Sequence, residues 1–500
     1  MKLFVKIFLS HLSPVCLVLS GLLCFVIMAT ASGEKPPNVL FLSVDDLRPS
    51  LGCYGDTLAK TPAIDRFAQS SRLFLAAYCN QAVCGPSRTS VFTGRLPDNT
   101  RVWHNRHRFR DTCPSLITLP QLFRNAGYHT QSIGKTFSGR QSEEDPESWS
   151  VPPVIQETTW KKYALQENDK KGKKGVATEA VAVPDDEYSD GKIVARAIET
   201  LHVLSKEQKP FFLAVGFLKP HLPFCAPKQY WDLYDRRSFA TDQHRQRTTD
   251  VPEYAYPDHD ELGGYSDIPS NQQLHSEHIK KLRHGYYACV SYIDSLVGRL
   301  LHSLSVCGLA ENTIVVLWGD HGYSLGEADH WCKQTNFERD TRVPLLIRIP
   351  NMPAPGVPTS ALVEYVDLYP TVARLASLTV PPLLDGQTLK PILDDPNTDG
   401  RSHAMSQYAR PWKKEDPQVM GYSIRSPTHR YTRWVKWPSR QILAEELYDY
   451  GCLAGIDHGP TIFVEACNQI DDVSKASVCK DMRKALDAML KRRIRQVGVQ

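Results

Sequence analysis

Short apolar runs recur along this chain, and each gives way abruptly to charged residues. "NVLFLSV" (38–44) is followed at once by Asp45 and Asp46, and "TIVVLWG" (313–319) by Asp320 and His321. "YHTQSIG" (128–134) leads into Lys135, while "PFFLAVGFL" (210–218) leads into Lys219 and, across a proline, His221. Apolar runs of this kind, alternating with helical patterns, predict an α/β fold around a large, mostly parallel sheet. Ligands of such sheets gather beyond the carboxyl ends of the strands. Four runs therefore present charged groups at one edge.

After about residue 400 the period changes. "MGYSIRSPTHRYTRWV" (420–435) alternates as antiparallel strands do, and a helix from about 472 to 493 is expected to cover them. This predicts a smaller C-terminal α+β subdomain with an antiparallel sheet. Between 139 and 190 the pattern is weak, and "ENDKKGKKG" (167–175) reads as a lysine-rich loop broken by glycine.

A single Asp after a strand is ordinarily a cap or a solvated loop residue. Adjacent Asp45 and Asp46, however, repel each other unless a cation or basic group lies between them. Joined by Asp320 and His321, they suggest a hard divalent ion, calcium or magnesium, although an imidazole is an untypical ligand for calcium.

In "QAVCGPSRTS" (81–90), Pro86 suits the first turn of a helix that continues through Phe92 and ends near Gly94. Cys84 then stands at the helix N-terminus, where backbone N–H groups favour an anion. Arg88, one turn on, adds a positive fork. Taken alone, such a thiol reads as a buried structural cysteine or a disulfide partner.

Five hundred residues are too many for one ordinary core, so one large domain with a smaller appended one is expected. A formal charge of +4 leaves no footprint of a nucleic-acid binder. Lys2 and Lys6, the apolar stretch 15–28 and Ala29-Thr30-Ala31 follow the order of a secretory signal peptide, cleaved after Ala31. An uncleaved N-terminal anchor is the rival, and no other segment is apolar enough to span a bilayer. With Cys16 and Cys24 removed, eleven of thirteen cysteines remain; Cys452, Cys467 and Cys479 are candidates for a C-terminal disulfide, and no CxxC pair is present. The mature chain has no N-x-Ser/Thr acceptor, which fits a bacterial exported protein, periplasmic or secreted.

"CGPSR" (84–88), followed by Thr93-Gly94, resembles the sulfatase signature C-x-P-S-R. "VDDLRP", "GKTF", "ESWSVPP", "PFFLAVGFLKPHLPF", "YACVSYIDSLVGRLL", "GDHGYSLGE" and "MGYSIRSPTHRYTRWV" are similar, in that order, to the iduronate-2-sulfatase branch, from Pro37 to about Tyr450. The resemblance implies an alkaline-phosphatase-like sandwich, with a signal peptide at 1–31, a catalytic domain at 36–400 and the smaller subdomain at 401–500. It implies that a maturation enzyme oxidises Cys84 to formylglycine (3-oxoalanine). One Ca2+ would be held by Asp45, Asp46, Asp320 and His321, with an oxygen of the converted Cys84. Arg88 would steady the formylglycine hydrate, Lys135 and Lys333 (in "HWCKQTNF") would bind sulfate oxygens, and His221 would lie beside the leaving group. The family's reaction has one hydrate hydroxyl attack sulfur while the sugar oxygen departs; the second then expels sulfate. Such catalysis asks the site for on the order of 20 kcal/mol of barrier lowering, for which preorganised charge is suited.

The family's GK-x-x-H is here "GKTFSGR", with Ser138 where a histidine is expected. Loss of a general base costs about 3 to 5 kcal/mol, which impairs without abolishing. His104, His107 and His129 are nearby in sequence as substitutes, and "VWHNRHRFR" (102–110) is either a pocket lining or a basic exposed loop. "ELYDYGCLAGIDHGP" (446–460) has diverged from the family's pattern. The expected activity is hydrolysis of sulfate monoesters of a sulfated glycan. The rivals are a phosphate or phosphonate monoester hydrolase of the same superfamily and a glycan-binding pseudo-sulfatase.

Overall fold

The four apolar runs are neighbours in one sheet. The computed structural model describes residues 35–137, 144–155, 163–169, 174–241, 246–269, 274–451 and 465–494. The seven strands of this sheet are β1 (Asn38–Val44), β2 (Arg72–Tyr78), β3 (His129–Gly134), β4 (Phe211–Phe217), β5 (Thr313–Gly319), β6 (Arg342–Arg348) and β7 (Val363–Glu364), in the spatial order β7-β2-β6-β5-β1-β4-β3. Strands β3, β4, β1 and β5 are parallel throughout; β6 runs antiparallel to both β5 and β2, and β7 pairs parallel with β2.

Alternation along β1 explains its uninterrupted apolar sequence. Leu40, Leu42 and Val44 join one core and Val39 and Phe41 the other, so both faces are covered. The first core is closed by two long helices, Ser189–Leu204 and Ser276–Val306, through Ile193, Val194, Leu201, Leu282 and Leu296. The second is closed by helix α1 (Cys84–Thr93) with Leu119–Asn125 and Leu368–Leu375, through Val91, Phe92, Phe123 and Val372. The result is the expected three-layer arrangement.

The C-terminal stretch forms a four-stranded antiparallel sheet in meander order: β8 (Ala404–Arg410), β9 (Val419–Arg425), β10 (His429–Lys436) and β11 (Gln441–Asp449). Met405, Met420, Tyr422 and Ile424 pack under helix α2 (Ala476–Arg493) through Met482, Leu486 and Met489. The chain divides at Pro36/Pro37, and both sheets lie within Pro37–Gln500.

Cys467 and Cys479 are both free, so no disulfide joins them, and Cys452 lies outside the described residues. Cys479 instead serves as a buried apolar side chain of the C-terminal core. The leader 1–31, Ser138 and most of the 452–464 loop's diverged sequence also fall outside the described residues. Among the described residues no helix is long and apolar enough to cross a membrane.

Candidate active site

Register places the site. Val44 is paired with Gly319 on one side and Phe217 on the other, and Gly134 with Gly216, so residues 45, 320, 218 and 135 leave the sheet at a common edge. The close approach of β3 and β4 depends on Gly216, where a Cβ would stand 1.8 Å from the Lys135 carbonyl oxygen. Past the edge the backbone is bent sharply. Asp46 has φ 60°, a left-handed conformation that costs a non-glycine residue about 1–3 kcal/mol. It is held there by its N–H, which donates to Asp320 Oδ1 at 3.0 Å, and by its carbonyl, which accepts from the Tyr286 hydroxyl at 2.8 Å.

Arg88 binds the strand ends together. From α1, Nε donates to Asp320 Oδ2 at 2.9 Å and Nη2 reaches Asp45 Oδ1 at 3.4 Å. Nη1 donates to Ser43 Oγ and to the carbonyls of Lys135 and Thr136 at 3.2, 2.6 and 2.9 Å. The whole side chain is buried, so each of these contacts replaces one to water.

Two ammonium groups meet the adjacent aspartates. Lys135 Nζ lies 2.6 Å from Asp45 Oδ2, and Lys333 Nζ lies 3.0 and 2.9 Å from the two oxygens of Asp46. Burial opposes both charges, but Asp45 beside Lys135, and Asp46 with Glu261 beside Lys333, raise the ammonium pKa values above their ordinary range. Burial likewise works against the Asp45 carboxylate, and Lys135, His221 and Arg88 overcome it to hold the pKa well below the usual carboxylate range.

Cys84 opens α1, which ends at Gly94 in the left-handed conformation, as its sequence predicts. Its Sγ is 3.4 Å from His321 Nε2. Burial, then Asp45, pushes the thiol well above its ordinary pKa, so the side chain is protonated and a poor nucleophile as it stands. His321 Nδ1 donates to the Gly322 carbonyl at 2.8 Å, which fixes the tautomer and turns Nε2 toward Asp46 Oδ1 at 3.3 Å and Asp320 Oδ1 at 3.6 Å.

A lone pair aimed at carboxylates calls for a cation. Asp46, Cys84 and His321 form one group whose ligand atoms lie within 4.8 Å of one another; Asp45, Cys84 and Asp320 form a second, and Asp45, Asp46 and His221 a third. These acidic and imidazole groups fit a divalent metal ion, with the Gly322 carbonyl orienting the imidazole from behind.

His221 arrives on the loop after β4. Asp190, at the start of a helix, accepts the N–H groups of Leu218 and Lys219 at 2.6 and 3.2 Å, and Lys219 Nζ donates to the His221 and Pro223 carbonyls at 2.7 Å each. The His221 ring donates from Nδ1 to the Leu222 carbonyl at 2.6 Å, leaving Nε2 3.3 Å from Glu261 Oε1 and 3.9 Å from Asp46 Oδ2.

The structure thus brings Asp45, Asp46, Cys84, Arg88, Lys135, His221, Asp320, His321 and Lys333 to one place. His129 is excluded from it. It begins β3, six residues before Lys135 and roughly 20 Å away along an extended strand. His104 is buried over the start of α1, where Gly85 N–H donates to Asn105 Oδ1 at 2.8 Å, and His107 packs edge-on against it at 5.0 Å. Within the same segment Arg110 is structural, paired with Asp145 at 2.8 Å.

Two residues of the site carry no sequence signal. Glu261 lies in "DHDEL", which reads as a solvated acidic loop, yet it sits 3.1 Å from Lys333 and against His221. Asp190 reads as an ordinary first-turn acid and instead buttresses the loop carrying His221.

Comparison with known proteins fits this geometry. The family described as Sulfatase matches residues 37–378, and that described as N-sulphoglucosamine sulphohydrolase, C-terminal, matches 326–492. Iduronate 2-sulfatase of Mus musculus is 36% identical over 85% of this chain and 90% of its own, and that of Homo sapiens is 35% identical over 81% and 86%. The crystal structure of the phosphonate monoester hydrolase of Agrobacterium radiobacter superposes with a TM-score of 0.75 at 22% identity, covering 91% of this chain and 96% of that one. At that identity the likeness carries the fold alone: the alkaline-phosphatase-like sandwich with its large mixed sheet and C-terminal antiparallel sheet. With the family pattern spanning most of the molecule and the mouse relative aligned over 85% of it, this chain belongs to the sulfatase family of sulfuric ester hydrolases.

Proposed function

We propose that this protein removes sulfate from a sulfated sugar of the uronate 2-sulfate type, as an exported bacterial enzyme. The reading rests on one observation above others: the Cys84 side chain lies among Asp45, Asp46, Asp320 and His321, and Lys135, Lys333 and His221 approach the same aspartates. Its substrate class follows the mouse and human relatives, both iduronate 2-sulfatases.

Asp45, Asp46, Asp320 and His321 would hold one Ca2+, which would supply positive charge to the sulfuryl oxygens. Converted by a maturation enzyme, Cys84 would supply a hydrated aldehyde as the nucleophile toward sulfur.

The chain's own residues do the rest. Arg88 positions both aspartates and, being saturated by them, keeps the strand ends at fixed separation. Lys135 and Lys333 offer ammonium donors to the sulfate oxygens, where charge accumulates in the transition state. His221 Nε2 points at the same space and would lie beside the departing sugar oxygen. Burial of the whole set excludes water and strengthens each contact. Residues 36–400 and 401–500 are the proposed catalytic and C-terminal parts.

The test is sulfate release from a panel of heparan, dermatan, chondroitin and carrageenan fragments, with an aryl sulfate and an aryl phosphate alongside. Mass analysis of the peptide bearing residue 84 should find the aldehyde. Preference for the phosphate, or turnover with an intact thiol, defeats the reading.

A further inference from the structure

Alternation along β8 divides its side chains between two surroundings. Met405 and Ala409 enter the core beneath α2, while Ser406, Tyr408 and Arg410 face the other way. That second face lies against the segment leading to Cys84: Ser406 Oγ donates to the Cys79 carbonyl at 2.6 Å, and the Gln407 N–H to the Asn80 carbonyl at 2.8 Å. At the strand's end Arg410 donates from Nη2 to the Gln334 carbonyl at 2.6 Å and from Nε to the Tyr254 carbonyl at 3.0 Å. Gln334 directly follows Lys333, and its N–H is bound to the Ala82 carbonyl at 3.2 Å. The guanidinium is therefore fixed to the backbone of the residue that follows Lys333.

Arg410 is 3% exposed, as deeply buried as Lys333. Among the described residues it has no ion-pair partner, and its Nη1 has no acceptor. Asp258 acts on it only at longer range and is itself engaged by the Trp412 N–H at 3.0 and 3.2 Å. The guanidinium lies 4.3 Å over the Tyr408 ring, and the fully buried Tyr408 hydroxyl has that same guanidinium as its polar neighbour. His104, 1% exposed, lies alongside: it meets Trp412, two residues beyond Arg410, edge-on at 5.1 Å, with the Lys414 backbone as its polar neighbour. Buried polar groups are nearly always satisfied, and a buried cation without a counter-charge is costly. The guanidinium, without a counter-charge, and the hydroxyl beside it mark a place built for an acceptor with negative charge.

We propose that Arg410, supported by Tyr408 and walled by His104, binds a second oxyanion of the substrate, carried beside the scissile sulfate: a uronate carboxylate or a further sulfate. This rests on the reading of the chain as a sugar sulfatase. It assigns to the C-terminal sheet the choice of sugar, while the catalytic domain holds the reacting sulfate.

The test uses matured full-length protein, wild type, Arg410→Gln and Tyr408→Phe. Five substrates are compared: a uronate 2-sulfate glycoside, its analogue with the carboxyl reduced to hydroxymethyl, a disulfated hexosamine, its monosulfated counterpart, and 4-nitrophenyl sulfate. A site built to bind a charged group rejects the analogue lacking it strongly, so Arg410→Gln should lower kcat/KM on the anionic sugar by about 100-fold, chiefly through KM. The loss on the aryl sulfate should be at least about tenfold smaller. Wild type should lose a comparable factor when the carboxyl is reduced, if the carboxylate is the ligand, or when the second sulfate is absent, if sulfate is. Equal losses on every substrate overturn the proposal. So does wild-type indifference to both deletions, a comparison that stands even if Arg410→Gln fails to fold. Failure of the sugar-sulfatase reading looks different: wild type then releases no sulfate from any sugar, and the subsite falls with it.

Discussion

Cys84 Sγ and His321 Nε2 lie 3.4 Å apart although 237 residues separate them. The contact joins the start of α1 to the end of β5, and it places the thiol among carboxylates that suppress its ionisation. A side chain so placed is of little use as a thiolate and well placed as something else.

Cys84→Ala should therefore abolish sulfate release while leaving the fold intact. Removing a nucleophile of this kind costs at least about 10⁴ in kcat, whereas deleting one buried sulfur atom should cost about 1–2 kcal/mol of stability. Kinetics and a thermal melt on the same preparation check both halves; residual turnover near wild type contradicts the assignment.

Arg88→Ala should behave oppositely, as a folding defect first. It leaves Asp45 and Asp320 buried without their partner, which costs about 3–5 kcal/mol. Urea unfolding would register this as a lower midpoint at unchanged slope. A variant as stable as wild type would mean that Arg88 does not brace the strand ends.

Chelation should lower both activity and the thermal midpoint, and Ca2+ should restore them. An ion at about 100 times its Kd adds about 2.7 kcal/mol to stability through binding to the native state alone. Asp46→Asn should blunt that response. A melting curve insensitive to chelator, in wild type and variant alike, would remove the metal from the account.

Asp294 supplies a pH test away from the site. Its carboxylate accepts the N–H groups of Ala63 and Ile64 at 3.1 and 2.7 Å, at the start of the helix Pro62–Ala68. Burial nevertheless raises its pKa from 3.8 to about 6. Between those values the native state holds a proton that the unfolded chain releases, so this group's contribution falls as pH rises through the window and is level on either side. Asp294→Asn should gain up to about 3 kcal/mol relative to wild type on going from pH 4 to pH 7. Denaturant midpoints at the two pH values measure it, and a constant difference between the proteins would contradict the shift.

Much of the architecture was legible in one dimension because it rests on local rules. The parallel strands are buried on both faces and so are continuously apolar; "NVLFLSV" and "TIVVLWG" coincide with β1 and β5 residue for residue. Helix α1 carries its own start and stop in Pro86 and Gly94, and the hairpin of β9 and β10 shows the alternation of an antiparallel pair although both of its faces are buried. The charged residues at the strand ends stood out for the same reason, since their place is defined by the run they terminate. Cysteine pairing, in contrast, was not legible, because it depends on distance: of the candidates Cys452, Cys467 and Cys479, the last two are not joined to each other.

The sequence by itself thus determined the strands, the helix bearing Cys84 and the list of groups able to do sulfate chemistry, since each is written in neighbouring residues. Only the tertiary structure decided which of them meet. The partnership of Lys333 with Glu261, the bracing of His221 by Asp190 and the solitary guanidinium of Arg410 arise between segments up to hundreds of residues apart. Electrostatic coupling acts through space and falls off with distance, so no pattern along the chain could record it.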